Sequence, residues 1–314
     1  MIAFGPVPSR RLGRSLGINN IPPKTCTYAC VYCQVGRTTH MPIERQAFYD
    51  PEAVVSAVEE RVRRARAAGE TIDYLTFVPD GEPTLDANLS RMIARLKPLG
   101  IKIAIISNAS LTWREDVRAD LAQADWVSLK ADAARDETWR RTNRPHGKLD
   151  LSTIHEGMLA FAASYRGVLA TETMLVRDLN DGEDDLQAVA EFLARLRPAT
   201  AYVAIPTRPP AEPWAQSPTE HAINRAYQIL SEAVPHVEYL IGYEGNAFAF
   251  TGNVQEDLLS ITAVHPMRED AVHEFLRRAK ADWSAVHPLL ETDRLLETHY
   301  GGHRFYMRRL NRHG

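Results

Sequence analysis

Short apolar segments that predict buried strands alternate with amphipathic helix patterns along the first two thirds of this chain. Strand and helix repetition of this kind indicates parallel strands joined by right-handed crossovers. The sequence has no glycine-rich dinucleotide fingerprint, and the length of the repeat favours a barrel over a doubly wound sheet. We therefore expect an α/β fold with a partial (β/α)6 TIM-like barrel. The six predicted strands are residues 15–19, 74–78, 101–106, 126–130, 168–176 and 202–205.

Capping residues set the boundaries of the predicted helices. Asp50 and Pro51 predict the start of the first helix as its N-cap and first-turn proline. Thr112 and Glu115 form a capping-box pattern, which predicts the start of a later helix. Further helix patterns lie at residues 152–164, at 186–196 and from 217 onward.

The pattern changes after residue 254, where three short helices and a terminal hairpin replace the long repeats. The helices are predicted at residues 255–261, 267–279 and 283–290, and the hairpin strands at 295–300 and 303–310. Gly301 and Gly302 predict the two-residue turn of that hairpin. The sequence thus predicts a barrel domain at 1–254 and a small α+β, winged-helix-like module at 255–314. Such modules often bind nucleic acid; a solvated charged hairpin or a lid over the barrel is the alternative. The hairpin residues consistent with phosphate contacts are Arg304, Arg308, Arg309, Arg312, His299, His303 and His313.

Composition excludes several classes of protein. The 314 residues are 45% hydrophobic and 25% charged, which is typical of a globular chain and excludes a disordered or collagenous one. The sequence contains no apolar run long enough to span a membrane, and its N-terminus lacks the pattern of a secretory signal. We expect a cytoplasmic protein without membrane contact. The formal net charge is -3, yet residues 1–40 and 298–314 carry basic side chains and no acidic one.

The three cysteines of the chain, Cys26, Cys30 and Cys33, fall within eight positions. An odd number at such short spacing cannot form a disulfide framework, so these residues are candidate ligands of one soft metal centre. A structural zinc ion needs a fourth ligand, for which His40 is the nearest candidate. A [4Fe–4S] cluster on three thiolates instead leaves one iron atom without a protein ligand, free to bind something reactive.

A second motif follows the strand predicted at 74–78, which ends in the loop Asp80-Gly81-Glu82. Glycine permits close backbone approach, and carbonyls at the carboxyl end of a strand are acceptors that suit a cation. An Asp-Gly pair alone is more typical of a plain turn. In barrels of this kind the chemistry lies at the carboxyl ends of the strands. The cysteine loop, this loop, Asn108 and Lys130 all fall at that edge.

The spacing CX3CX2C, with the aromatic Tyr32 before its third cysteine, resembles the signature of the radical S-adenosylmethionine (SAM) superfamily. Asp80-Gly81-Glu82 resembles the Gly-Gly-Glu loop of that family, whose backbone carbonyls receive the SAM ammonium group. The resemblance implies a [4Fe–4S] cluster on Cys26, Cys30 and Cys33, with SAM chelated at the open iron. It also implies one-electron cleavage of SAM to methionine and a 5′-deoxyadenosyl radical, driven by a reducing partner such as flavodoxin or ferredoxin.

Four further stretches resemble the wyosine-type group of that superfamily, which is related to the tRNA 4-demethylwyosine synthases. They are residues 5–17, 81–85, 143–146 and 208–210, so the resemblance extends over nearly the whole chain. It implies RNA as a possible substrate. The synthases use a second cluster on additional cysteines to activate pyruvate, and this sequence has no cysteine left for one; their specific reaction is therefore not implied.

Other polar residues at the strand ends are further candidates for cofactor contacts. Asn108 is a candidate for the SAM ribose or carboxylate, or else a helix cap. Lys130 is a candidate for the SAM carboxylate or a substrate phosphate, or else a snorkelling side chain. Glu172 and Met174 are two residues apart in one predicted strand, so both face the barrel interior, where Met174 is the candidate for the adenine. A glutamate there needs a partner, for which Lys130 and Arg208 are candidates.

These residues support one leading hypothesis and two alternatives. The leading hypothesis is a radical SAM enzyme that modifies an unidentified substrate, with RNA favoured. Its catalytic residue is not specified by the sequence, and the candidates are Lys130, Glu172 and Arg208. The alternatives are a radical SAM enzyme acting on a peptide or small metabolite, and a zinc-containing nucleic-acid-binding protein without catalysis.

Overall fold

A computed structural model describes residues 2–241, 248, 250–264 and 266–309 of the chain. Two of the residues named as consistent with phosphate contacts, Arg312 and His313, lie outside these ranges. The predicted end of the terminal strand lies outside them as well. Eight strands form one curled sheet in sequence order. They are β1 Ala3–Ser9, β2 Gly13–Ile18, β3 Tyr74–Phe77, β4 Lys102–Ser107, β5 Trp126–Lys130, β6 Val168–Met174, β7 Thr200–Ala204 and β8 Val237–Leu240.

The six predicted strands are confirmed as β2 to β7, and all neighbours from β2 to β8 pair in parallel. Seven helices follow these strands and cover the outer face of the sheet. They are α1 Pro51–Ala67, α2 Leu89–Leu96, α3 Glu115–Leu121, α4 Asp136–Asn143, α5 Leu151–Ser164, α6 Glu183–Leu196 and α7 Glu220–Ala233. The fold is the expected α/β partial barrel.

The two outermost strands were not predicted from the sequence. β1 contains Pro6 and Pro8 and pairs antiparallel with β2. An edge strand tolerates proline because its outward N–H groups have no hydrogen-bond partner in the sheet. The two prolines therefore removed the usual sequence pattern of a strand, although the strand is present. β8 is short and half-exposed, which leaves it without a buried apolar run.

Two predicted helix starts are wrong. α3 begins at Glu115, and Thr112 is not its cap. The Thr112 hydroxyl instead donates to the Ala109 carbonyl at 2.8 Å and to the Ile154 carbonyl at 3.0 Å. α7 is capped by Thr219, whose side chain accepts a hydrogen bond from the Ala222 backbone N–H. Ser217, from which this helix was predicted to begin, instead donates its hydroxyl to the Pro206 carbonyl at 2.8 Å, so both predicted caps bind other backbone groups.

The C-terminal elements form a second, three-stranded sheet with helices on one side. The hairpin is confirmed, with Tyr300 opposite His303 at its turn. The helix predicted at 267–279 begins two residues later, because β9 pairs with β11. These elements are α8 Val254–Val264, β9 Met267–Arg268, α9 Glu269–Arg278, α10 His287–Glu291, β10 Leu295–Tyr300 and β11 His303–Arg308, and the sheet order is β10-β11-β9.

The C-terminal module packs against the barrel through β1. Phe4 and Val7 of β1 lie in the same apolar cluster as Phe275 and Tyr306. At the other end of the module, the Tyr300 hydroxyl donates to the Pro206 carbonyl at 3.1 Å, so the hairpin also touches the loop after β7. The predicted boundary between residues 254 and 255 stays a prediction. None of the described helices combines the length and apolar character that a membrane span requires.

Candidate radical SAM site

A cavity of about 280 Å³ opens at the carboxyl ends of the parallel strands. The loops after β2, β3, β4, β5 and β7 and the inner face of β6 contribute its walls. Every residue that the sequence analysis named for the cluster, for SAM or for catalysis lines this one cavity, whereas His40, the candidate for a zinc site, does not. These residues are Cys26, Cys30, Cys33, Tyr32, Asp80, Gly81, Glu82, Asn108, Lys130, Glu172, Met174 and Arg208.

The cysteine loop is closed at its base by backbone hydrogen bonds. The N–H of Cys26 donates to the His40 carbonyl at 3.0 Å, and the N–H of Thr39 donates to the Lys24 carbonyl at 3.1 Å. Within the loop, Cys33 N–H donates to the Cys30 carbonyl at 3.2 Å. The three cysteines therefore lie on one compact turn facing the cavity.

The three thiols are partly buried, and burial is the main cause of their high pKa values. It raises the pKa of Cys30 to about 12, with a further contribution from Asp132. Burial also raises the pKa of Cys26 well above its ordinary value, together with Cys30, and it raises the pKa of Cys33. Thiolates at such positions require a compensating cation, and a bound metal supplies it. The donor set therefore fits a metal centre.

Two asparagine side chains donate to these sulfurs. Asn108 Nδ2 lies 3.4 Å from Cys26 Sγ, and Asn143 Nδ2 lies 3.4 Å from Cys30 Sγ. The role of Asn143 was missed by sequence reasoning, because it follows the cysteine by more than a hundred residues and ends helix α4. The one available signal was its place in the stretch 143–146. Hydrogen bonds of this kind tune the potential of a cluster.

The position of His40 bears on the choice between zinc and a cluster. A closed zinc site needs a fourth ligand beside the three thiolates, for which His40 was the nearest candidate in the sequence. The His40 side chain is exposed and is not among the residues that line the cavity on which the three cysteines lie.

The loop after β3 is joined directly to the cysteine loop. Lys24 N–H donates to the Asp80 carbonyl at 2.7 Å, and Glu82 N–H donates to the Thr25 carbonyl at 3.2 Å. A Cβ atom on Gly81 would lie 1.8 Å from the Thr25 carbonyl oxygen, so no other residue fits there. The glycine permits the close approach that the sequence predicted, but the neighbour is the cysteine loop itself.

The Glu82 carboxylate binds the protein. It accepts hydrogen bonds from the Thr84 N–H at 3.0 Å, the Ser107 hydroxyl at 2.8 Å and the Asn108 N–H at 2.7 Å. Burial raises its pKa, and these donors act in the opposite direction. Glu82 therefore fixes the β3 loop to the end of β4.

The Asp80 carboxylate, unlike that of Glu82, is not fully hydrogen-bonded by the described part of the protein. Its side chain is 3% exposed, and its Oδ1 atom has no hydrogen-bond partner among the described residues. Burial raises its pKa to about 7, although Lys24 and other cations partly offset the effect. A buried acceptor beside a cavity, still lacking a donor, fits a ligand with an ammonium group.

A charged network crosses the interior of the barrel. Lys130 Nζ lies 2.7 Å from Glu172 Oε1, and Arg11 binds the other oxygen of the same carboxylate. Burial alone would raise the pKa of Glu172, but Lys130 and Arg11 together lower it to about 2. The predicted partner Lys130 is confirmed, and the second partner of Glu172 is Arg11. Arg208 instead donates to Gln34 Oε1 at 2.6 Å.

Asp132 connects this network to the cysteine loop. It accepts hydrogen bonds from the Tyr32 hydroxyl, from Asn143 Nδ2 at 2.7 Å and from the Met174 backbone N–H at 2.8 Å. Lys130 Nζ lies 4.8 Å from the centre of the Tyr32 ring, which is a cation–π geometry. Tyr32 and Met174 thus face the cavity from positions fixed by one buried carboxylate.

A curled half-barrel with three cysteines on the loop after its first parallel strand defines the radical SAM class of protein. The chain belongs to the radical SAM superfamily, because the model of that family matches residues 20–193. It is 47% identical over 311 residues to the UPF0026 protein MJ1312 of Methanocaldococcus jannaschii, covering 98% of this chain and 96% of that one.

Solved structures show the same fold at low sequence identity. A radical SAM methyltransferase from Sphaerobacter thermophilus superposes with a TM-score of 0.52 at 18% identity, covering 72% of this chain and 66% of that one. TYW1 with a lysine-pyruvate adduct bound superposes with a TM-score of 0.53 at 18% identity, covering 70% and 74% of the two chains. At this identity the likeness concerns the fold alone.

Proposed function

We propose that Cys26, Cys30 and Cys33 hold a [4Fe–4S] cluster, and that the chain binds SAM beside it and modifies a further substrate. The observation that carries the proposal is the convergence of all twelve candidate residues on one cavity. Bound there, the cluster and SAM supply one-electron cleavage of a sulfonium bond to methionine and a 5′-deoxyadenosyl radical, as superfamily membership implies. A reducing partner supplies the electron.

The chain's own residues position the cofactor and exclude water. Asp80 offers its unpartnered Oδ1 to the SAM ammonium group, and the Gly81 carbonyl is a second candidate acceptor, because the carbonyls of Asp80 and Glu82 already accept backbone hydrogen bonds. Tyr32 and Met174 border the space for the nucleoside. The Glu82 side chain holds the loop after β3 in place for these contacts.

An anionic substrate fits the charge of the cavity. Among the described residues, five cationic side chains line it, against the three carboxylates Asp80, Glu82 and Glu172; two of the cations, Lys130 and Arg11, pair with Glu172. The cations are Arg10, Arg11, Lys24, Lys130 and Arg208. RNA is the substrate we propose, on this charge and on the likeness to the wyosine-type group. Lys130, Glu172 and Arg208 are the candidates for contact with it.

Anaerobic reconstitution tests the cofactor proposal. The expected product is a brown protein with about four iron and four sulfide per chain that forms 5′-deoxyadenosine when SAM and dithionite are added. Cys30→Ala should abolish both the colour and the cleavage. His40→Ala is the matched control, because a zinc site would lose its fourth ligand whereas a cluster would be unchanged. A protein that holds only zinc would refute the proposal.

Mass spectrometry of RNA from cells with and without the gene tests the substrate. A nucleoside that disappears on deletion and returns with the wild-type gene, but not with Cys30→Ala, would support RNA. Binding of that RNA should weaken steeply with salt, since phosphate contacts release counterions. An unchanged nucleoside profile would favour a peptide or metabolite substrate.

A further inference from the structure

The outer side of the cysteine loop is covered by two surface segments. Helix α4 ends against it, where Val31 N–H donates to the Thr142 carbonyl at 3.0 Å and Ala29 N–H donates to the Arg144 carbonyl at 3.1 Å. The loop after β7 covers the same turn, because Glu212 N–H donates to the Val31 carbonyl at 3.0 Å. Residues on these two segments therefore lie directly beside the loop that would hold the proposed cluster.

A cationic and aromatic surface lies on these segments. Glu212 pairs with Arg37 at 3.0 Å and with Arg144 at 2.8 Å, so two exposed arginines share one buried carboxylate. The Arg144 guanidinium lies 5.8 Å from the ring centre of Trp214. Trp214 is 51% exposed, more than any other large hydrophobic side chain described. Lys148 follows on the same segment as Arg144 and makes no ion pair within the described ranges.

Arg37, Arg144 and Trp214 are joined through Glu212 and the cation–π contact, and Lys148 is the next exposed cation along the chain from Arg144. These four residues are called the Trp214 surface. Their net charge is positive after Glu212 is counted. Tryptophan and arginine are the side chains most enriched at the energetic centres of protein interfaces. Transient redox complexes use small interfaces, so a few such side chains can form the centre of one. An anionic partner face gives the complementary charge and a faster encounter.

Resting on the proposed function, we infer that the Trp214 surface is the docking site of an acidic one-electron carrier protein that reduces the cluster. Electron transfer between proteins requires the two redox centres to approach closely, and this surface contacts the chain between Cys30 and Cys33. The direct hydrogen bonds of Glu212 and Arg144 to the cysteine loop connect this surface to the backbone that carries the thiolates. The partner needs no access to the cavity, which stays available to SAM and substrate.

The test compares two reductants on the reconstituted full-length protein. The variant is Trp214→Ser with Lys148→Glu, which leaves both ion pairs of Glu212 in place. The matched control is Val168→Ser with Lys97→Glu, because Val168 is 45% exposed at the start of β6 and Lys97 lies shortly before β4, at the end of the barrel opposite the cysteine loop. Stopped-flow absorbance follows cluster reduction by dithionite and by reduced flavodoxin, an acidic flavoprotein. Titration calorimetry measures flavodoxin affinity separately.

Reduction of the variant by flavodoxin should slow by at least about fivefold at low salt, with weaker binding and a smaller salt dependence. Its reduction by dithionite should equal the wild-type rate, and the control should match the wild type with both donors. Equal flavodoxin rates in variant and wild type would overturn the inference, as would an equal loss with dithionite or no reduction of the wild type by flavodoxin. Failure of the wild type to cleave SAM with dithionite would instead refute the proposed function.

Discussion

At the scale of single residues, the site depends on two residues of the loop after β3, Gly81 and Glu82, whose contacts hold that loop in place. Gly81 lies against the Thr25 carbonyl, and Glu82 uses both carboxylate oxygens to hold Thr84, Ser107 and Asn108. Neither residue needs to touch a cofactor to matter. Each fixes the distance between the loop after β3 and the cysteine loop.

Gly81→Ala should therefore destabilise the protein by about 3 kcal/mol or more, because the added Cβ forces the two loops apart. Iron content after reconstitution should fall with it. Denaturant unfolding and iron analysis give the two measurements. Gly147→Ala is the matched control, since a Cβ there meets no atom within 4 Å. An alanine variant at position 81 with wild-type stability and four irons would show that the loops can shift freely.

Asn108→Ala should lower the midpoint potential of the cluster in the absence of SAM. The amide of Asn108 donates to Cys26 Sγ, and a donor to a thiolate favours the reduced, more negative cluster. A hydrogen bond worth about 1 kcal/mol corresponds to about 40 mV for a one-electron couple. A redox titration followed by electron paramagnetic resonance measures the shift. An unchanged potential would mean that the amide does not act on the sulfur.

At the scale of elements, sequence reasoning succeeded where burial is strong. Strands β2 to β7 are buried on both faces and carry apolar runs, so their positions and the edge they share could be predicted. β1 was not predicted, because its prolines are untypical of a strand and are tolerated only at the sheet edge. Arg11, the second partner of Glu172, was missed for another reason. It precedes β2, and contacts between segments far apart in the chain leave no periodic pattern in the sequence.

One side chain joins three elements behind the site. Arg61 of α1 donates to the Gly5 carbonyl of β1 at 2.7 Å and to Asp257 of α8 at 2.7 Å, and both side chains are almost fully buried. Asp257→Ala should cost about 3 kcal/mol, because it leaves the Arg61 charge buried without its partner. Chemical denaturation measures the loss. Glu60→Ala, which removes the exposed pairs with Arg63 and Arg64, should change stability little. Equal effects of the two variants would contradict the assignment.

At the scale of the whole molecule, acid sensitivity has an identifiable source in His155. Its ring stacks on Phe192 with 3.9 Å between ring centres. Burial, with a contribution from Arg195, lowers the pKa of His155 from 6.5 to about 4. The unfolded chain therefore binds a proton at higher pH than the folded one. The stability that His155 contributes is complete above pH 6.5 and is lost as the pH falls to about 4.

Comparison of the wild type with His155→Phe isolates this contribution. Between pH 6.5 and 4 the wild type should lose up to about 3 kcal/mol more than the variant, because one pKa unit is worth about 1.4 kcal/mol. Denaturant unfolding at several pH values gives both curves. Parallel curves over this range would show that the imidazole keeps an ordinary pKa in the folded protein.

The cysteine loop is anchored on every side by parts of the chain that bind no metal. Its backbone is bonded to the β3 loop at Thr25, to the end of α4 at Ala29 and Val31, and to Glu212 after β7. These bonds are formed by the protein's own backbone, so the entropy of ordering the loop is lost as part of folding rather than on metal binding. We therefore expect that protein stripped of its metal with a chelator takes up iron and sulfide again without a denaturation and refolding step.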